Sequence, residues 1–385
     1  MKNIILLGQP EVSVVDIGKT LAYRLGLEFS EYDATRTYEG GCVVVVDGGD
    51  VSSEDMERIC ANGVLVALGA AAPHGDRHAV VVEPGEPEQV YLEIIEALSH
   101  ADNPLGARYV VVGDSVSHSL SPIIHNNVLR IRGGAPDYAM ARVPEGGLSA
   151  WLDYARGNLL GFCVTEPHEQ DIMPFLDEAS EEAHMCGAVS AVMVKDGRLV
   201  GYNIDIWGVG RTLAYLNKEF AGRDVGIIGS GGLGKATALA ACTEGARSVI
   251  VAGHNIGGTA SIVSELWNSM GSKNVQWAEF EEGVFKEYKP DILINTTHLG
   301  MTGKEEFQDL SFLGDISPKA IVIDLVYTPR HTKLLQKAQS MGMGIVNGVG
   351  VQIFHSLRTN TLFFDQQHGI DMVRKILAVI TKEEY

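Results

Sequence analysis

Residues 225–241 constrain the fold more than any other stretch of the chain. Val225-Gly226-Ile227-Ile228 is a short apolar run of the kind buried in a parallel sheet. Gly229-Ser230-Gly231-Gly232-Leu233-Gly234 follows at once, and Lys235-Ala236-Thr237-Ala238-Leu239-Ala240-Ala241 is helix-forming. Strand, glycine turn and helix in this order are what a dinucleotide pyrophosphate requires. The glycines let the backbone approach closely, and the helix start presents amides to the anion. A tight strand–helix turn without a ligand is the plainer reading of the same glycines.

Similar apolar runs recur at 3–7, 43–46, 64–68, 110–112, 248–251, 292–295 and 320–325, with helical stretches between them. This alternation predicts an α/β protein with parallel sheets built from strand–helix–strand units. His100-Ala101-Asp102-Asn103-Pro104-Leu105-Gly106 carries helix-stop and turn residues and marks a domain boundary. At 385 residues there is room for two or three domains. A net charge of −19 argues against a nucleic-acid surface, while leaving room for a phosphate held by backbone amides.

No apolar run approaches the length of a membrane span, and 1–8 reads as a first buried strand rather than a signal peptide. Five cysteines (Cys42, Cys60, Cys163, Cys186, Cys242) without paired or metal-type spacing predict reduced thiols and a cytoplasmic protein. His184 and Cys186 lack the rest of a zinc set, so no metal site is expected.

Further motifs surround the glycine turn. In chain order they are Gly113-Asp114-Ser115-Val116-Ser117-His118-Ser119-Leu120-Ser121-Pro122-Ile123-Ile124-His125-Asn126, Cys163-Val164-Thr165-Glu166-Pro167-His168-Glu169 and Gly201-Tyr202-Asn203-Ile204-Asp205. After the turn come Ile294-Asn295-Thr296-Thr297-His298-Leu299-Gly300-Met301, Asp324-Leu325-Val326-Tyr327-Thr328-Pro329 and Gly348-Val349-Gly350. From about Gly106 to the C-terminus this series resembles the shikimate/quinate dehydrogenase family.

The resemblance implies a substrate domain over 106–210 and 348–385, interrupted by a Rossmann domain over 211–347, with substrate in the cleft between them. The cofactor would be NADP, or NAD, held by Gly229, Ser230, Gly231, Gly232, Leu233, Gly234, His254, Asn255, Thr296, Gly300, Met301 and Gly348. An acidic residue after the second strand favours NAD and a basic one NADP. His254 stands where NADP-using members carry an arginine, and no carboxylate accompanies it, which leans toward NADP.

The resemblance places a cyclic hydroxy-acid substrate on Ser119 and Ser121, whose hydroxyls hold its carboxylate, with Thr165, Ser190, Tyr327 and His355 also in contact. A turn-and-cap role ahead of a helix is the plainer reading of Ser119 and Ser121. Asp205 matches the catalytic aspartate, but Glu169 stands where the catalytic lysine belongs. Cys163 and Ser190 replace asparagines, and His355 replaces a glutamine. The carboxylate end of the site is thus kept and the ring-hydroxyl end rewritten.

Three explanations are open. Glu169 and Asp205 could share a proton as a carboxylate pair, with His355 a further proton carrier. The substrate could carry an amine that meets Glu169. Or the site binds without chemistry, which makes a non-catalytic sensor or regulator of the aromatic pathway the alternative to a dehydrogenase.

Residues 1–33 resemble the opening of a shikimate kinase, but the phosphate-loop pattern G-x-x-x-x-G-K-[ST] is lost. Ser13, Val14 and Val15 stand for its glycine, lysine and hydroxyl, and Gly18-Lys19-Thr20 has no partner glycine at 13. Residues 1–103 are therefore expected to be a shortened, degenerate kinase-like domain, and a homodimer is among the roles open to it.

Overall fold

The structure, a computed structural model, describes residues 107–381 except 117, 255–256, 258–259, 261–262 and 265–273. Before residue 107 it describes five strands and residues 21, 22 and 25. Those strands, β1 (Asn3–Leu7), β2 (Glu28–Glu31), β3 (Cys42–Asp47), β4 (Gly63–Leu68) and β5 (Ala79–Val82), form a parallel sheet in the order β2-β1-β3-β4-β5. This is one of the common doubly wound orders. The altered phosphate loop at 9–15 lies outside the described residues.

A second sheet follows. Its strands are β6 (Tyr109–Gly113), β7 (Tyr138–Arg142), β8 (Gly161–Val164), β9 (Glu178–Ala179), β10 (Ala191–Lys195) and β11 (Arg198–Tyr202), in the order β7-β6-β8-β10-β11-β9. β6 runs parallel to β7 and β8, but β10 is antiparallel to β8, so this sheet departs from the expected all-parallel pattern. A hairpin follows: Asp196 and Gly197 take φ of 51° and 74°, the left-handed pair of a two-residue turn, which sends the chain back from β10 into β11. Helices α1 (Ser121–Ile131), α2 (Leu148–Asn158), α3 (His168–Asp171), α4 (Glu181–Cys186) and α5 (Asp205–Tyr215) belong to this stretch.

The third sheet holds β12 (Asp224–Ile228), β13 (Ser248–Gly253), β14 (Val275–Glu279), β15 (Ile292–Asn295), β16 (Ile321–Asp324) and β17 (Gly344–Asn347). All are parallel, in the order β14-β13-β12-β15-β16-β17. Counted from β12 this is 3-2-1-4-5-6, the Rossmann arrangement, whose switch point lies between β12 and β15. Helices α6 (Gly232–Thr243), α7 (Lys333–Ser340), α8 (Gly348–Phe364) and α9 (Ile370–Thr381) complete the described elements. None is long and apolar enough to cross a membrane.

By internal contacts the chain divides into two compact units, 1–177 with 191–200 and 363–385, and 178–190 with 201–362. In the first, β6 is buried along its whole length, and Tyr109 stacks on Phe363 with ring centroids 5.0 Å apart. Asn126 of α1 is buried and fully used. Its Nδ2 donates to the Leu25 and Tyr138 carbonyls at 2.6 and 2.8 Å, and its Oδ1 accepts from the Asp137 and Tyr138 amides. Leu21 and Leu25 are buried too.

The second unit shows how a doubly wound sheet reads a strand. Val249 and Val251 face a layer with Val225, Ile227, Ile292 and Ile294, closed by Val209 and Leu213 of α5 and the alanines of α6. The alternate residues Ile250, Ala252, Leu293 and Val322 face the opposite layer, with Leu334, Leu335 and Phe312. Each such aliphatic side chain contributes roughly 1.5–3 kcal/mol by leaving water. Covering on both faces is why these strands read as unbroken apolar runs.

Candidate active site

In the first unit the serine motif runs into α1, with Pro122 at its first turn. The Ser119 Oγ accepts the Ser121 amide at 3.2 Å, so Ser119 anchors the helix start while its own O–H can still donate. Ser121 is buried and Ser119 half-buried. Thr165 continues β8, its amide donating to the Val112 carbonyl at 2.9 Å. Cys163 is buried in β8 beside Tyr138, whose phenol is pushed well above its usual range, first by burial and then by the neighbouring thiol. His168 is structural: its buried ring meets the Val143 carbonyl through Nε2 at 2.6 Å. Glu169 follows it on α3, half-buried.

In the second unit Asp205 opens α5. The Asn203 Oδ1 accepts the Asp205 amide at 3.2 Å, and the Asn203 Nδ2 donates to the Ala188 carbonyl at 3.1 Å. Ser190 is buried and its Oγ accepts the Ile204 amide at 2.9 Å. This replacement for an asparagine therefore braces the backbone just before Asp205. Across from α5, His355 of α8 sets its Nε2 2.9 Å from the Asp205 Oδ1, both side chains being mostly buried (13% and 16% exposed).

The glycine turn follows β12 as expected. Gly229 takes φ 116°, and a side chain there would run into the Thr296 hydroxyl; one at Gly234 would run into the Gly229 carbonyl. By contrast, nothing stands within 4 Å of a Cβ added at Gly231, so open space faces the start of α6. Ser230 belongs to the turn after β12, and Gly232 and Leu233 open α6. Close backbone, left-handed φ and open ground before a helix N-terminus fit a pyrophosphate.

The neighbouring loop leaves β15, whose Asn295 is paired in register with Ile228. Thr296 donates its amide and its hydroxyl to the Ile228 carbonyl, each at 2.9 Å. Asn295 and Thr332 donate to the two oxygens of the buried Asp324 at 2.9 and 2.5 Å. Burial raises the Asp324 carboxyl, opposed by these bonds. Gly300, at φ 90°, donates to the Glu305 carbonyl and Met301 to the His298 carbonyl. Tyr327 is half-buried, and the Gly348 amide donates to the Val326 carbonyl.

His254, exposed at the end of β13, meets Phe280 edge-on at 5.5 Å and borders a cavity of about 730 Å³. Glu281, Glu282, Lys304, Glu306 and Asp309 also line it. Asn255 lies outside the described residues.

The structure thus brings Asp205, His355 and Ser190's brace together at α5, and the turn glycines against Thr296. Asn203, Asp324, Thr332 and the cavity residues other than His254 are not among the candidates that the sequence offered. A capping pattern two residues before Asp205 would have found Asn203. The cavity acids lie in the connections after β14 and β15, where no local pattern marks them. Among the described residues no group of three or more histidines, cysteines or carboxylates could hold a metal.

A glycine turn at the switch point of a 3-2-1-4-5-6 sheet defines a dinucleotide-binding protein of the Rossmann class. Residues 111–192 match the family described as shikimate dehydrogenase substrate binding domain. Shikimate dehydrogenase (NADP(+)) of Alkaliphilus metalliredigens is 32% identical over 270 residues, 69% of this chain and 94% of that protein. The protein of the same name from Geobacillus kaustophilus is 35% identical over 248 residues, 64% and 88%. Among solved structures, quinate dehydrogenase from Corynebacterium glutamicum in complex with NAD is 25% identical, with a TM-score of 0.61 over 70% of this chain and 96% of that one. The chain belongs to the shikimate dehydrogenase family.

Proposed function

We propose that this chain is an NADP(H)- or NAD(H)-dependent dehydrogenase of a cyclic hydroxy acid related to shikimate or quinate, with altered recognition of the ring hydroxyls. The observation that carries it is the glycine turn, shaped for a pyrophosphate, in a chain of this family. When bound, the nicotinamide supplies the acceptor or donor of hydride.

The protein's own part is holding and proton handling. Gly229 to Gly234 and the first amides of α6 hold the pyrophosphate. Thr296, Gly300, Met301 and Gly348 border the nicotinamide, and His254 with Asn255 borders the adenosine ribose. Ser119 and Ser121 hold the substrate carboxylate, with Thr165 and Tyr327 beside it, while Asp205 receives or returns the hydroxyl proton. Glu169, Ser190 and His355 set which ring substituents are accepted.

Residues 1–103 are read as a kinase-derived domain without kinase chemistry, on the loss of its glycine, lysine and hydroxyl at Ser13, Val14 and Val15. The remainder divides into a substrate domain, 106–210 with 348–385, and a Rossmann domain, 211–347, in a cytoplasmic homodimer. The intact glycine turn weighs against the alternative of a non-catalytic sensor, which has little need of a hydride donor.

The test is reduction of NADP⁺ and NAD⁺, followed by absorbance, against shikimate, quinate and their amino analogues. Turnover with one of them establishes the reaction and the cofactor. Silence across the panel, with NADPH still binding, would favour the sensor.

A further inference from the structure

We propose that His355 replaces the family's lysine as the partner of the catalytic aspartate, so that Asp205 and His355 act as one acid–base unit. The inference rests on the dehydrogenase reading above and deepens it. Glu169 removes the amine from the motif in which the family carries it. In its place an imidazole stands 2.9 Å from the Asp205 Oδ1, at a position where the family has a glutamine that could hold no proton.

The surroundings are built for this pair. Asp205 is fixed from its backbone side by the Asn203 Oδ1. A Cβ added at Gly208 would stand 3.2 Å from Val351 and 3.7 Å from the His355 Cβ, so α5 and α8 approach closely here. The His355 Nδ1 is buried without a hydrogen-bond partner among the described residues. Nε2 is therefore the nitrogen that presents its hydrogen to the carboxylate, and the ring is held in one tautomer.

On alcohol oxidation a bound oxidised nicotinamide would take up the carbinol hydrogen with its electron pair, and the O–H bond would break. Asp205 receives that proton, and the pair as a whole gains it; reduction of the ketone returns it. His355 acts through Asp205 and is a positioning residue.

His355→Gln in the full-length chain separates proton sharing from simple bracing, because the amide can still donate to Asp205 but neither gains nor loses a proton. With the substrate that wild type turns over, kcat is expected to fall about 10²–10⁴-fold, beyond any change in KM. NADPH binding, followed by fluorescence, shows that the variant is folded. An unreduced kcat overturns the proposal. Independently of turnover, ¹⁵N-histidine spectra should show a protonated Nε2 and a bare Nδ1 for His355, with the Nε2 signal moving in Asp205→Asn. The opposite tautomer, or a signal indifferent to Asp205→Asn, overturns it while leaving the dehydrogenase reading intact. An inert wild type with the expected spectrum overturns that reading, and with it the catalytic role.

Discussion

Glu169 carries the sharpest consequence at the scale of single residues. A carboxylate where the family has a catalytic lysine is either damage or retuning, and the Asp205–His355 contact favours retuning. Glu169→Lys is therefore expected to lower the native turnover at least tenfold, measured with the substrate found in the panel assay; losing a matched acid–base or binding partner has effects of about 10²-fold or more. A gain of ordinary shikimate oxidation instead would mark the site as eroded.

Cys242 makes a simpler case. Burial pushes its thiol up to about 11, so at pH 8 only about a thousandth is thiolate, the reactive form. Iodoacetamide at pH 8 should leave Cys242 unlabelled in the folded chain and label it after denaturation, as read by mass spectrometry of its peptide. Asp205 and Ser119 with Ser121 stand in local motifs, so the sequence offers them as candidates. His355's partner was not legible, since nothing near either residue announces the other.

Secondary-structure elements act through their junctions. Gly234→Ala drives a Cβ into the Gly229 carbonyl, whereas Gly231→Ala meets no protein atom within 4 Å. The first should disturb the turn itself, lowering both melting temperature and NADPH affinity. The second should leave melting unchanged and weaken NADPH by at least about tenfold, or ~1.4 kcal/mol, because the methyl occupies the approach to the helix start. Equal effects on melting would refute the distinction.

At the opposite end of β12, Arg247 holds the Asp224 carboxyl below its usual range through a hydrogen bond, and Ser248 donates to it at 2.7 Å. A lowered folded pKa gives stability that is present above the unfolded value of about 3.9 and is lost as pH falls through the folded one. Asp224→Asn should thus melt below wild type at pH 7, and the gap should close progressively below about pH 4. A gap that persists unchanged at pH 3 would exclude the ion pair as its cause.

Strand existence was readable where both faces are covered, as in β12, β13 and β15. β14 was missed because it is an exposed edge strand: Gln276 and Trp277 of its Val275–Glu279 run face solvent, so no continuous apolar run appears. The hairpin between β10 and β11 was equally unclaimed, although Asp196-Gly197 is a strong turn signal.

On the scale of the whole molecule, the chain is longer than the relatives it matches, which leave about three tenths of it unaligned. Leu21 and Leu25 are nonetheless buried, and the Leu25 carbonyl accepts from Asn126. Removing residues 1–106 uncovers that core surface at a cost of roughly 1.5–3 kcal/mol for each large apolar side chain lost. The 107–385 fragment is expected to melt lower than the full chain in a thermal scan; an unchanged melting temperature would mean that the packing contributes no stability.

What the sequence by itself determined is the alternation of strands and helices, the glycine turn and its anion-binding logic, and the family. All of these are patterns within a few residues of one another, set by backbone sterics and by which faces must leave water. What only the tertiary structure decided is which distant residues meet: His355 with Asp205, Asn126 with Leu25, Thr332 with Asp324 and Asn295. Such pairings depend on the path of the chain through the fold, and a side chain's partner across that path leaves no trace in its neighbours along it.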